Sequence, residues 1–254
     1  MALILLIMLA LVLGIAVGQV LLLHKVTRIH LATFQLMSAG HEVKGLFHQL
    51  QAYNDLNSLI RPQSPLPLLR GWASSPDFLL HLTQDALRSK PSIILECSSG
   101  ASTTVLARCC QLNGAGHVFS LEHDARYAEE TREQLEDQGL ESWATVIHSP
   151  LVENVVAGQP WYDLSDLATS VELSSADMLV VDGPPATTAQ EARYPALPEL
   201  DKYLKQGGRV YLDDASRKDE LRIIERWLEE YPGYTKNVLR AEKGAVKLVK
   251  QLDP

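Results

Sequence analysis

The chain has 254 residues, a formal net charge of −8 and 46% hydrophobic residues, enough for one α/β domain and an appendage. In the first sixty residues Lys25, Arg28 and Lys44 outnumber Glu42 and Asp55, so the acidity lies in the remainder, which has no basic block to serve as a phosphate footprint. That argues against nucleic acid as a partner. Cys97, Cys109 and Cys110 make neither a disulfide framework nor a CxxC metal pair and read as reduced, packed thiols.

Ala2 to Leu23 holds no charged side chain, and Gln19 is its only strongly polar residue. A run of that length spans the hydrocarbon core of a bilayer. No basic region precedes it and no A-x-A-like site closes it, so it reads as an uncleaved anchor rather than a signal peptide. Lys25 and Arg28 follow the span, which puts the large domain on the cytoplasmic side of an inner or plasma membrane, single-pass.

Ile29, Ala32, Leu36, Ala39, Val43, Leu46, Leu50, Tyr53, Asn57 and Ile60 then follow an alternating three-four spacing. Two arrangements fit: a helical stalk that pairs with a second copy as a homodimer, or a helix folded back on the domain that follows. Pro62, Pro65 and Pro67 break the helix. Ser75-Pro76-Asp77 starts another, with a cap, a proline at the first position and an acid in the first turn, and Pro91 stops it at Lys90. The expected organisation is an anchor over 1–23, a stalk over 24–61, a linker and leading helix over 62–90, and an α/β domain over 91–254.

After Pro91 strands and helices alternate, which indicates a parallel sheet covered on both faces. The expected strands are Ser92–Cys97, His117–Glu122, Trp143–His148, Asp177–Asp182 and Arg209–Asp213. Helices are expected from Ala101 to Leu112, from the cap Asp124 to Gly139, and from the cap Ser216 to Tyr231. Tyr234–Arg240 and Ala245–Lys250 close the chain as an antiparallel hairpin, an unusual ending for a plain dinucleotide-binding domain. Acids end the first, second and fourth strands (Glu96, Glu122, Asp182), and Asp213-Asp214 ends the fifth. The Ser98–Ser102 turn lets backbone N–H groups approach a ligand beside a helix N-terminus.

This order, with Glu96–Ser102, Ser120–Asp124, Val181–Pro185, Arg193-Tyr194-Pro195 and Gly207–Asp214, resembles the class I S-adenosylmethionine-dependent methyltransferases, within them a bacterial subgroup acting on hydroxyls of small molecules and sugars. The resemblance covers about Trp72 to Lys250 and implies a Rossmann-like, doubly wound, mostly parallel seven-stranded sheet with a C-terminal antiparallel hairpin. It implies S-adenosylmethionine as cofactor, held by Glu96, Ser98, Gly100, Ser102, Glu122, His123, His148 and Asp182. Some members use a magnesium ion at the positions of Asp182, Asp213 and Asp214, and the resemblance gives Asp182, Asp213 and Tyr194 the catalytic places. Where the family has glycine this chain has Ser98, whose β-carbon either crowds the ligand or demands an unusual backbone angle.

The expected activity is therefore a membrane-anchored O-methyltransferase, its acceptor a small molecule or lipid-linked glycan. Two other classes stand beside it: a methyltransferase-fold scaffold that has lost its cofactor, suggested by Ser98, and a nucleotide-dependent oxidoreductase, for which the turn lacks G-x-G-x-x-G.

Overall fold

The structure, a computed structural model, describes residues 1–69, 71–154 and 158–252, with the side chains at 35, 36 and 38–42 outside the described residues. It divides into two compact units, Met1–His48 and Gln49–Pro254.

The first unit is helical from Ala2 onward, part of the single helix α1 (Ala2–Ile60). Ala2–Phe34 is long and apolar enough to cross a membrane. Thr27 and Thr33 donate their hydroxyls to the carbonyls of Leu23 and Ile29, at 2.9 and 2.8 Å. Their polarity is thereby satisfied inside the helix. Ile29, Val43 and Leu46 of the three-four stripe are exposed. Leu36, Ala39 and Gly40 fall outside the described side chains.

The second unit takes in the last turns of α1. Leu50 of the stripe is exposed there, but Ala52, Leu56 and Ile60, at four-residue spacing, are buried, and Leu56 and Ile60 share one core cluster with Phe78, Leu79 and Leu82 of α2 (Pro76–Ser89). The end of the expected stalk is thus part of the α/β unit.

The sheet-forming body follows as β1 (Ile93–Cys97), α3 (Ala101–Asn113), β2 (His117–Glu122), α4 (Ala125–Asp137) and β3 (Ala144–His148). A two-stranded sheet of β4 (Leu151–Val152) and β5 (Trp161–Tyr162) comes next, then α5 (Ser165–Ser170) and β6 (Ala176–Val181). The chain ends with α6 (Ala196–Leu200), β7 (Leu204–Asp213), α7 (Lys218–Glu230), β8 (Tyr234–Leu239) and β9 (Ala245–Lys250). The main sheet runs β3-β2-β1-β6-β7-β9-β8, parallel except for the antiparallel pairings of β9 with β7 and β8. This is the expected seven-stranded, doubly wound architecture.

Side-chain alternation explains why both faces are covered. Ile94, Val118, Met178, Val180 and Tyr211 enter the core cluster with α1, α2 and α3. Leu95, Cys97, Leu121, Leu179, Val181 and Leu212 enter a second cluster, with Trp161, Leu197 and Trp227. Strand order reverses between β1 and β6, so the crevice a doubly wound sheet offers a ligand lies at their carboxyl ends.

Three local expectations are corrected. β7 begins at Leu204, not Arg209, and takes in Gly207-Gly208: Gly207 holds φ +76, and the register against β6 shifts between Ala176 and Met178. Ser75 makes no side-chain cap; its hydroxyl donates to Asp77 Oδ1 at 2.6 Å, and Asp77 Oδ1 accepts the Phe78 N–H at 2.9 Å. The N-cap of α7 is Arg217 rather than Ser216, whose amide instead donates to the Lys243 carbonyl at 3.1 Å. Asp124 does cap α4, accepting the Arg126 N–H at 2.9 Å.

Candidate active site

β1 ends in a turn that only an unusual backbone permits. Gly100 has φ +147, and a β-carbon there would meet no heavy atom within 4 Å, so its face opens into free space. Ser98 has φ +86, a conformation that L-residues rarely adopt. The serine therefore takes up glycine's backbone angle instead of reshaping the turn. Gly183 is packed against it: a β-carbon there would lie 2.7 Å from Ser98 Cβ and 2.6 Å from Tyr162 Oη. The turn and the Asp182-Gly183 corner fit only because position 183 has no side chain.

A cavity of about 440 Å³ opens at this point, over the carboxyl ends of β1, β2 and β6. Its wall includes Ser98, Gly100 and Ser102 of the turn, Glu122 and His123 after β2, Asp182 after β6, and Arg193 and Asp214. The size suits a nucleoside-like ligand. The far wall comes from Pro67, Leu68, Gly71, Trp72, Ala73 and Ser74, between α1 and α2. In sequence that stretch reads as linker. Its signal, Trp72 among small residues ahead of a helix start, is too short to assign.

Glu122 is almost fully buried, and protein donors converge on it. Its Oε2 accepts the Ser99 N–H at 2.9 Å and its Oε1 the Asp124 N–H at 3.0 Å, with His123 Nδ1 also 2.9 Å from Oε1. Burial pushes this carboxyl up, but His123 and the two N–H donors together outweigh it and hold the group below its ordinary value. His123 is raised in turn by that hydrogen bond.

The acids after β6 and β7 gather around one buried arginine. Asp182, Asp213 and Asp214 can place one oxygen each within 4.8 Å of one another. Arg193, 4% exposed, donates from Nη2 to the Asp182 carbonyl at 2.7 Å, to Asp182 Oδ1 at 3.1 Å and to Asp214 Oδ2 at 2.9 Å. Its Nη1 donates to the Asp213 carbonyl at 3.1 Å. Arg217 Nη1 lies 2.9 Å from Asp214 Oδ2, and the Ser74 hydroxyl donates to Asp182 Oδ2 at 2.7 Å. Burial pushes the Asp182 and Asp213 carboxyls up; Arg193 opposes the rise in both. Burial alone would lower Arg193, yet the surrounding acids raise it.

Of the residues expected at the site, Ser98, Gly100, Ser102, Glu122, His123, Asp182 and Asp214 line the cavity. Glu96 does not. It is sealed beneath the turn, where the Thr103 hydroxyl donates to Oε2 at 2.5 Å, and burial, opposed by Ser102, Thr103 and Ser120, pushes it up to about 7. His148 is exposed at the end of β3, off the cavity wall. Asp213 is fully buried and is not on the cavity wall. Tyr194 is also off the wall: its hydroxyl donates to Glu230, and the Arg226 guanidinium stacks 3.5 Å from its ring centroid. Trp161 is fully buried against Tyr162 in the core.

The cofactor fits this cavity: Gly100 leaves the wall open where a β-carbon would stand, and Glu122 offers an ionised carboxylate one strand away. A magnesium ion held by all three aspartates does not fit, because Arg193 and Ser74 already engage both Asp182 oxygens and the Arg193 cation stands within the cluster. Only Asp213 Oδ2 and Asp214 Oδ1 are buried without a hydrogen-bond partner among these three acids.

Residues 95–215 match a family model described as a methyltransferase domain. No curated protein sequence matches the chain. Among solved structures, an S-adenosylhomocysteine-bound methyltransferase from Podospora anserina is 16% identical, with a TM-score of 0.55 over 80% of this chain and 88% of that one. An O-methyltransferase from Bacillus cereus in complex with S-adenosylhomocysteine is 19% identical, with a TM-score of 0.54 over 79% and 91%. A methyltransferase from Geobacter sulfurreducens is 14% identical, with a TM-score of 0.53 over 80% and 89%. Residues 95–215 thus match a methyltransferase domain, and the fold is the one that these solved methyltransferases share.

Proposed function

We propose that this chain is a membrane-anchored methyltransferase that transfers a methyl group from S-adenosylmethionine to a hydroxyl of a small molecule, sugar or lipid-linked glycan at the cytoplasmic face. The observation that carries the reading is the shared wall of the cavity, where the Gly100 turn, Glu122 and Asp182 meet at the carboxyl ends of β1, β2 and β6.

When bound, the cofactor supplies a sulfonium methyl group open to displacement by an oxygen nucleophile. Glu122, held ionised by its N–H donors, would accept the ribose hydroxyls. The Gly100 turn and the first turn of α3 suit a carboxylate, as helix N-termini do. Asp182 faces the cavity with its carboxyl raised by burial, which suits a group that takes the acceptor's hydroxyl proton. Ser74 and Arg193 fix its two oxygens.

Transfer to oxygen is supported by the O-methyltransferase from Bacillus cereus among the structural relatives. Anchorage is supported by the apolar helix Ala2–Phe34, and its orientation by Lys25 and Arg28, the nearest positive charges. A homodimer through the stalk is supported by exposed Ile29, Val43 and Leu46; sedimentation of the detergent-solubilised chain showing only monomer at tens of micromolar removes it.

Calorimetry tests the central reading. S-adenosylmethionine and S-adenosylhomocysteine should bind, and Glu122→Ala should abolish the heat. Binding of NAD alone would favour the oxidoreductase, and no heat with any of the three would favour the scaffold. The acceptor can then be sought by mass spectrometry of membranes and extracts incubated with a labelled methyl donor; label confined to the soluble fraction counts against a lipid-linked acceptor.

A further inference from the structure

We propose that Arg193 is the built-in cation of the acidic cluster after β6 and β7, so that the site works without a divalent metal ion. The proposal rests on the methyltransferase reading for what the site does, but not for how its charges balance.

Three carboxylates brought within 4.8 Å of one another out of bulk water need positive charge nearby. The chain supplies it from within. Arg193 reaches the side chains of Asp182 and Asp214 and the main-chain carbonyls of Asp182 and Asp213, all between 2.7 and 3.1 Å. A planar fork can join the ends of two adjacent strands in this way, whereas a lysine ammonium offers a single point of charge. Arg217 adds a second cation at 2.9 Å from Asp214 Oδ2. A magnesium ion prefers near-ideal octahedral oxygen coordination. To add Asp182 to the open oxygens Asp213 Oδ2 and Asp214 Oδ1 it would have to displace the guanidinium from Asp182 Oδ1 or the Ser74 hydroxyl from Asp182 Oδ2, or share one of those atoms, and it would stand beside the Arg193 cation. Nothing in the sequence spacing of the acids reveals this, because Arg193 lies eleven residues after Asp182 in a different local element.

The test is a Mn²⁺ titration of the full chain in detergent, followed by electron paramagnetic resonance, for wild type, Arg193→Gln and Arg193→Lys. Wild type should show no site tighter than roughly millimolar, and Arg193→Gln should bind at least about tenfold more tightly once the carboxylates are freed. Arg193→Lys, which keeps the charge but not the fork, should fall between wild type and Arg193→Gln. A wild-type site at tens of micromolar that Asp213→Asn removes overturns the proposal, as does a folded Arg193→Gln that gains no affinity. If Arg193→Gln does not fold by circular dichroism, the wild-type titration decides alone, in either direction. Calorimetry with S-adenosylhomocysteine runs alongside, with and without EDTA. An EDTA-sensitive affinity counts against the proposal. Absence of cofactor binding sinks the methyltransferase reading while the Mn²⁺ result still judges Arg193.

Discussion

The Ser74 hydroxyl donates to Asp182 Oδ2 at 2.7 Å, tying the segment ahead of α2 to the carboxyl end of β6 across 108 positions of sequence. The Lys243 ammonium holds the same segment from the other side, at 3.0 Å from the Ala73 carbonyl. Ser74→Ala should cost about 1 kcal/mol of stability, the usual net contribution of one hydrogen bond, and more if Asp182 Oδ2 is left unsatisfied. It should also weaken S-adenosylhomocysteine binding several-fold. Denaturant titration and calorimetry of the same preparation check both; unchanged affinity would show that the tether does not shape the cavity.

Glu96 gives a pH signature. Its folded carboxyl stands at about 7 against 4.5 unfolded, so the fold favours the protonated form. The associated stability is fully present below pH 4.5 and is lost as pH rises through 7. Glu96→Gln removes that loss. Its stability relative to wild type should improve between pH 5 and pH 8 by up to about 3 kcal/mol, since each tenfold difference in proton affinity between the folded and unfolded chain is worth roughly 1.4 kcal/mol. A pH-independent difference between the two proteins would mean that Glu96 titrates normally.

Ser98 holds a backbone angle that favours glycine. Ser98→Gly should therefore keep cofactor binding and gain stability, to the order of 1 kcal/mol. A loss of affinity in this variant would instead show that the hydroxyl contacts the ligand.

Gly183→Ala should behave in the opposite way. The added methyl would meet Ser98 Cβ at 2.7 Å and Tyr162 Oη at 2.6 Å. Overpacking of this kind costs about 1–3 kcal/mol and should shift the turn enough to depress cofactor affinity. Wild-type stability and affinity would refute the close packing.

Tyr194→Phe tests a placement that differs from expectation. Because its hydroxyl serves Glu230 and its ring lies under Arg226, removing the hydroxyl should leave cofactor affinity within about twofold and cost about 1 kcal/mol of stability. A large fall in affinity would return Tyr194 to the site.

The carboxyl ends of the parallel strands, the doubly wound sheet and the turn at Ser98–Ser102 are legible because each is a local pattern: an apolar run, an acid at its end, small residues, then a helix; the start of β7 is not, because Gly207-Gly208 reads as a turn. The carboxylates Glu122 and Asp182 are legible for the same reason, since the end of a parallel strand fixes where its next residue points. Glu96 is misplaced from sequence because the acid is visible there but not Thr103 closing over it seven residues later. Arg193 reads only as part of a motif with no role of its own, because its partners come from two strand ends that its own segment does not touch in sequence. The wall built from Pro67, Leu68 and Gly71 to Ser74 is hidden because it follows Pro62 and Pro65, whose stretch reads as a connector whether or not the connector folds over something.

That wall has a consequence for how acceptor choice can change over time. Pro67, Leu68 and Gly71 to Ser74 lie ahead of the matched region 95–215, yet they line one side of the cavity. Substitutions there can reshape what the cavity admits while the sheet, the cofactor turn and the charged cluster stay as they are. A shortened protein that starts at α2 would keep the recognisable domain and lose that side of its own binding chamber.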